Sequence, residues 1–131
     1  MRCNVGVNPR YLFDQHLLPE GRELNRILGS LKYWNYEIKS PVPNNFKLGA
    51  GHMNFLKMRL KYLQRRQKEV VKELERRNIK HDLFCMDLTN ISQEFCNDWQ
   101  PPLIDTQTIR NRIIERILNY PNPFMVEIRS C

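Results

Sequence analysis

Between Leu56 and Leu74 the chain places Leu56, Leu60, Leu63, Gln67, Val70, Val71 and Leu74 at steps of four and three. That spacing returns these side chains to one stripe of an α-helix. The opposite face carries Arg59, Lys61, Arg65, Arg66, Lys68, Lys72, Arg76 and Arg77. Glu73 stands four residues before Arg77, the favourable order for a helical ion pair. Asn78 fits the residue that ends a helix. A helix with one apolar stripe has to bury it, so the rest of the chain must supply a partner surface.

Two other segments share the period. Over residues 17–31 the stripe is Leu17, Leu24, Ile27, Leu28 and Leu31, with Asp14 as the expected N-cap. Pro19 removes one backbone bond from a helix begun at Asp14, so the helix starts nearer Pro19 or bends there. Asp105 or Thr106 caps a third helix through Ile109, Ile113, Ile114, Ile117 and Leu118, which ends before Pro121. Residues 1–8 read as extended, and Pro9 stops any early helix.

Residues 32–51 and 79–103 read as irregular. The first is punctuated by Pro41, Pro43, Asn44, Asn45 and Gly49-Ala50-Gly51. A connection this long in a small domain is usually functional. With 131 residues, 41% of them hydrophobic, and no internal repeat, residues 1–131 are expected to form one all-α, single compact domain of about three helices with long irregular loops.

The net charge of +7 and pI of about 9.5 favour a polyanionic partner, nucleic acid being the commonest. No run of about 18 apolar residues is present, so no membrane span is expected. The opening Met-Arg-Cys-Asn-Val-Gly-Val has no apolar stretch of the secretory kind. Among Cys3, Cys85, Cys96 and Cys131 no two have the spacing of a zinc ribbon or a redox motif. His81 and Cys85 stand at i, i+4, but core or surface thiols are the better account of the cysteines than a metal site. They are read as reduced and the protein as cytoplasmic.

The first helix carries the most suggestive constellation. With Arg22 at zero on an ideal wheel, Arg26 falls near ~40° and Gln15 near ~20°, while Leu24, Ile27, Leu28 and Leu31 span roughly 140–240°. Glu23 lies near ~100°, between the arginine face and the buried face. A solvated face with Glu23 and Arg26 paired at i, i+3 accounts for this spacing. So does a phosphate-binding edge that holds one partly buried acid, a suitable place for a catalytic carboxylate.

Three blocks of residues bear on that choice. The first is Asp14-Gln15-His16-Leu17 with Glu20, Arg22-Glu23-Leu24 and Arg26; the second is Leu48-Gly49-Ala50-Gly51-His52 with Phe55, Leu63, Arg66 and Gln67. The third is Gln93-Glu94-Phe95 with Asp87, Ile91, Asp98 and Trp99. In order and spacing they resemble the pyrimidine-dimer DNA glycosylases of T-even phages and algal viruses. The resemblance covers most of the chain and is weakest after Arg116.

The resemblance implies a compact three-helix enzyme, of viral or bacterial origin, that scans double-stranded DNA for cyclobutane pyrimidine dimers left by ultraviolet light. It implies cleavage of the glycosidic bond of the dimer's 5′ pyrimidine, then strand scission by β-elimination. The nucleophile would be the N-terminal α-amine and the second catalytic group Glu23. Arg22 and Arg26 would hold phosphates, Arg2 would sit beside the amine, and Gln15 and His16 would contact bases or sugar at a kink. Arg112 and Arg116 would grip the backbone. The duplex would be kinked and the adenine opposite the lesion flipped out. The family's tail is rich in aromatics; this chain keeps few beyond Phe124. A monomer is expected, with no cofactor and no metal, because imine chemistry proceeds without one.

The chemistry suits the residue types. An α-amine has a reference pKa of about 7.7–8.0 against about 10.4 for lysine, so near pH 7 roughly a tenth of it is neutral and nucleophilic, against ~0.04% of a lysine. Attack on the sugar C1′ yields a Schiff base, which acidifies the 2′ hydrogen for elimination. A carboxylate beside it moves protons and stabilises the cationic sugar and iminium.

Family members begin Thr-Arg-x-Asn after loss of the initiator Met. Counting back from Asp14 without a gap puts Arg2 at the threonine position; one extra residue near Asn8-Pro9 puts Met1 there and matches both Arg2 and Asn4. The second alignment is preferred, since initiator Met is removed before small residues and Arg2 is large. The amine is then that of Met1. Two other readings stay open: a glycosylase or lyase for other lesions, such as ring-opened purines or abasic sites, and a non-enzymatic basic protein that binds DNA or RNA.

Overall fold

The computed structural model describes residues 3–119. Among them it has four α-helices and no strand: α1 Asp14–Tyr33, α2 His52–Lys57, α3 Leu60–Arg76 and α4 Leu103–Asn119. Single 3-10 turns occur at Pro9–Tyr11 and Gln93–Phe95. The all-α class and the long irregular connections are as expected, with a short α2 added. None of the described helices is long and apolar enough to cross a membrane.

The core lies between α1 and α3, the most extensively packed pair. All five expected stripe residues of α1 are at most 1% exposed, as are Leu60, Leu63, Val70 and Leu74 of α3. Burial of such side chains contributes roughly 1.5–3 kcal/mol each.

The single helix expected from Leu56 is two helices. Arg59, at φ −135° and ψ 50°, interrupts it, because its backbone pairs in an isolated antiparallel bridge with Cys96. Its guanidinium folds back over Phe55, 3.7 Å from the ring centre, and donates to the Phe55 carbonyl at 2.8 Å. Leu56 therefore belongs to α2.

Phe13, not Asp14, is the N-cap of α1. Asp14 instead accepts a 2.7 Å hydrogen bond from Arg77, at the positive end of the helix dipole. Pro19 lies inside α1, so the helix begins ahead of it and lacks the bond that Pro19 cannot donate to Gln15. Both long helices of the core end alike. Tyr36 N–H reaches Leu31 C=O at 2.8 Å with Asn35 at φ 53°, and Ile79 N–H reaches Leu74 C=O at 2.9 Å with Asn78 at φ 58°. Asn78 is the stop that the sequence suggested.

Pro9 opens a 3-10 turn instead of stopping a helix, and the Asn8 side chain caps it by accepting from Arg10 N–H. Residues 3–8 are not extended throughout: Val7 N–H returns to Asn4 C=O at 3.2 Å, with Gly6 at φ 74°. Cys3 and Val5 are wholly buried and Val7 is 4% exposed. α4 begins two residues before Asp105, because the Pro102 carbonyl accepts from Asp105 and Thr106 N–H.

The irregular connection over residues 79–102 is packed down. Met86, Ile91 and Phe95 are buried. Side-chain amides satisfy its carbonyls, Gln64 that of Met86 at 2.9 Å and Asn25 that of Phe84 at 3.2 Å. Trp99 stacks on Phe46 and meets Phe55 and Tyr62 edge-on, which ties both long connections to α2 and α3.

Candidate active site

α1 carries the cluster. Arg22, Arg26 and Gln15 are exposed on it, as the wheel places them. Glu23 lies deeper than that border position suggests, only 6% exposed. Its carboxylate is 3.5 Å from Arg26 Nη1, whose side chain is 68% exposed. One buried carboxylate thus touches a solvent-facing cation on a basic surface.

A second carboxylate lies one turn earlier. Glu20 is wholly buried and accepts from Arg66 Nε at 2.7 Å, Arg66 Nη2 at 3.1 Å and Asn4 Nδ2 at 3.0 Å. The same guanidinium donates to the Val7 carbonyl at 2.5 Å. Arg66 therefore does not belong to the solvated basic face where the sequence pattern puts it; it is 3% exposed. Glu20 is committed to three hydrogen bonds, whereas among the described residues Glu23 has one loose contact, the 3.5 Å approach of Arg26.

These contacts fix the N-terminal segment beside α1. Cys3 N–H donates to His52 Nε2 at 3.4 Å, and His52 Nδ1 lies 3.0 Å from the Lys47 carbonyl. That pairing assigns the proton to Nδ1. Burial, then the negative charges of Glu20 and more weakly Glu23, hold the Cys3 thiol well above its ordinary pKa, against the opposing charge of Arg66. Both carboxylates thus act on the start of the described chain. Cys3 stays a protonated, inert thiol. Met1 and Arg2 lie outside the described residues, as does Phe124.

His16 is half-buried on the first turn of α1, stacked on Phe13 with ring centres 5.7 Å apart. Its Nδ1 is buried without a hydrogen-bond partner among the described residues. Burial first, and then the charge of Arg116, push its pKa below the ordinary histidine value. The exposed Arg116 of α4 therefore lies close to the start of α1. Arg112, one turn earlier on α4, is half-buried. The structure so gathers Gln15, His16, Arg22, Glu23 and Arg26 on α1 and brings Arg116 to one end of them.

Sequence reasoning gave no role to Asn4, Glu20, His52 or Arg66 in holding the N-terminal segment. Their signal was present, since three of them stand inside the quoted motif blocks.

The family model described as pyrimidine dimer DNA glycosylase matches residues 2–87. This chain belongs to the pyrimidine dimer DNA glycosylase family. The match takes in α1, α2 and α3 with Glu20, Glu23, His52 and Arg66, and ends before Arg112 and Arg116. Glycosylase action at pyrimidine dimers is the activity of this family, and DNA carrying such dimers is the substrate that it implies. The basic surface of α1 suits that polyanion.

Proposed function

We propose that the protein excises the 5′ pyrimidine of ultraviolet-induced cyclobutane dimers and then nicks the same strand. The α-amine of Met1 attacks C1′ and displaces the base, which leaves protonated; the C1′–O4′ bond then opens, O4′ taking a proton, and the nitrogen lone pair forms the iminium. Loss of a 2′ proton then eliminates the 3′ phosphate, and hydrolysis frees the amine. Glu23 stabilises the cationic sugar and shuttles the protons. Arg2, Arg22, Arg26, Arg112 and Arg116 bind phosphates, and Gln15 and His16 contact the distorted strands.

One observation carries this reading: a buried, loosely paired Glu23 lies among exposed arginines on the helix against which Asn4 is held by Glu20. Only two residues separate the α-amine from Cys3, a reach of up to about 7 Å. His16, kept neutral by its surroundings, suits hydrogen bonding to a base or sugar.

Borohydride reduction during turnover on a dimer-containing duplex tests the mechanism. A covalent protein–DNA adduct is expected, mapping to the N-terminal peptide by mass spectrometry with Met1 attached. An adduct on a lysine, or none, overturns the role of the α-amine. Adducts formed equally well on abasic or ring-opened purine DNA, with none on dimers, transfer the activity to another lesion.

A further inference from the structure

Four of the five glycines in the chain have a reason inside the fold. Gly49 and Gly51 take left-handed φ angles of 79° and 88°. A Cβ on Gly6 would run into Thr106, and one on Gly21 into Leu83. Gly29 has no such reason. It is exposed in the interior of α1, and a Cβ placed there meets nothing within 4 Å. Apart from proline, glycine is the poorest helix former, so alanine here would strengthen α1.

The position of Gly29 on the helix supplies the missing reason. Measured from Arg22 on the wheel, Arg26 lies at ~40°, Gly29 at ~340° and Tyr33 at ~20°. All four residues are exposed, Tyr33 by 77%. They form one stripe about 16 Å long, with two cations, then bare backbone, then a phenol. Tyr33 packs edge-on against Trp34 at 5.1 Å, which limits the freedom of its ring.

We propose that a DNA strand crosses α1 at Gly29, its sugar–phosphate backbone lying against the bare helix between Arg26 and the Tyr33 hydroxyl, which donates to a phosphate oxygen. This rests on the reading of α1 as the DNA-binding face; it adds the length of that face and the mode of contact. Glycine is the residue that permits close approach to a helix backbone. Hydroxyl and arginine contacts to phosphates position a duplex without reading its sequence. The crossing point follows Arg26 by three residues, about 4.5 Å along the axis, so one strand can meet both.

The full chain carrying Gly29→Ala, Gly29→Gln, Tyr33→Phe or Arg22→Gln tests this by thermal melting and by fluorescence anisotropy with dimer-containing and undamaged duplexes. Both Gly29 variants are expected to melt no lower than wild type. They should bind both duplexes more weakly, Gln by about tenfold and Ala by less, in line with loss of a close backbone contact. The salt dependence of binding should keep its slope, since no charge is removed. Tyr33→Phe should weaken binding about threefold through loss of one hydroxyl contact. If Gly29→Gln binds like wild type while Arg22→Gln weakens binding, the crossing at Gly29 is overturned and the DNA-binding face stands. If Arg22→Gln also binds like wild type, the reading of that face falls. A lower melting temperature for Gly29→Ala overturns the premise that the fold leaves this position open.

Discussion

The guanidinium of Arg66 and the carboxylate of Glu20 meet through hydrogen bonds of 2.7 and 3.1 Å, with side chains only 4% and 0% exposed. The pair joins α3 to α1, and through Asn4 and the Val7 carbonyl it fastens the N-terminal segment to both. Desolvation offsets most of the attraction within such a pair, but removing one partner strands a buried charge. Glu20→Gln or Arg66→Met should therefore lose about 3–5 kcal/mol in urea unfolding, with Tm lower by on the order of 10 °C. Replacing both by methionine should recover most of that loss. A single-variant loss as small as that of a surface ion pair, about 0–1 kcal/mol, would contradict the account.

Among the described residues Glu23 differs from Glu20 in having one loose partner at 3.5 Å, and its substitution should separate chemistry from folding. Glu23→Gln keeps the shape and loses the proton exchange. Its Tm should stay close to that of wild type and its dimer-duplex Kd should change little. Single-turnover base excision should slow by at least ~100-fold, the lower end of general acid–base contributions. Excision at the wild-type rate would remove Glu23 from the mechanism.

The helices were legible in the sequence because apolar stripes are local: Leu17 to Leu31 and Leu60 to Leu74 announce themselves within a few turns. The break at Arg59 was not, since it depends on a backbone partner at Cys96. Arg66 looked solvated by its neighbours in sequence; what buries it is Glu20, 46 residues earlier. The site divides the same way. Glu23 and the two arginines emerge from a wheel drawn on one helix, with the family motif to give them meaning. The anchoring of the N-terminal segment rests on Cys3 and His52, 49 residues apart, and periodicity carries no information on such a pair.

Acid should loosen the far end of α3. Hydrogen bonds from Arg76 first, then Arg77, together with their charges, hold the Glu73 carboxyl at about 2, below its ordinary 4.5. A carboxyl depressed on folding stabilises the protein above its unfolded value and loses that contribution as pH falls from about 4.5 towards 2. Arg77 is 10% exposed and Arg76 55% exposed, so Arg77 is the partner less screened by solvent. Glu73→Gln should melt below wild type at neutral pH, and the gap should narrow steadily below about pH 4.5. Thermal melts of both proteins across that range check this, and a gap independent of pH would show that the ion pairs contribute nothing.

The exposed arginines of α1 should reveal themselves through salt. Neither Arg22 nor Arg26 is buried, and Arg26 meets Glu23 only at 3.5 Å, so both are available to phosphates. Each phosphate neutralised releases condensed counterions, and log K falls against log salt by about 0.9 for every contact. Arg22→Gln and Arg26→Gln should each flatten that slope by about 0.9 on undamaged and dimer-containing duplex alike. The double variant should flatten it by about twice as much. Arg65→Gln provides the contrast, because Arg65 lies on α3 and is engaged by Asp98 at 3.1 Å and Glu69 at 3.9 Å; its slope should match that of wild type. If instead Arg65→Gln flattens the slope and the two α1 variants do not, the duplex lies along α3 and the DNA-binding face has been assigned to the wrong helix.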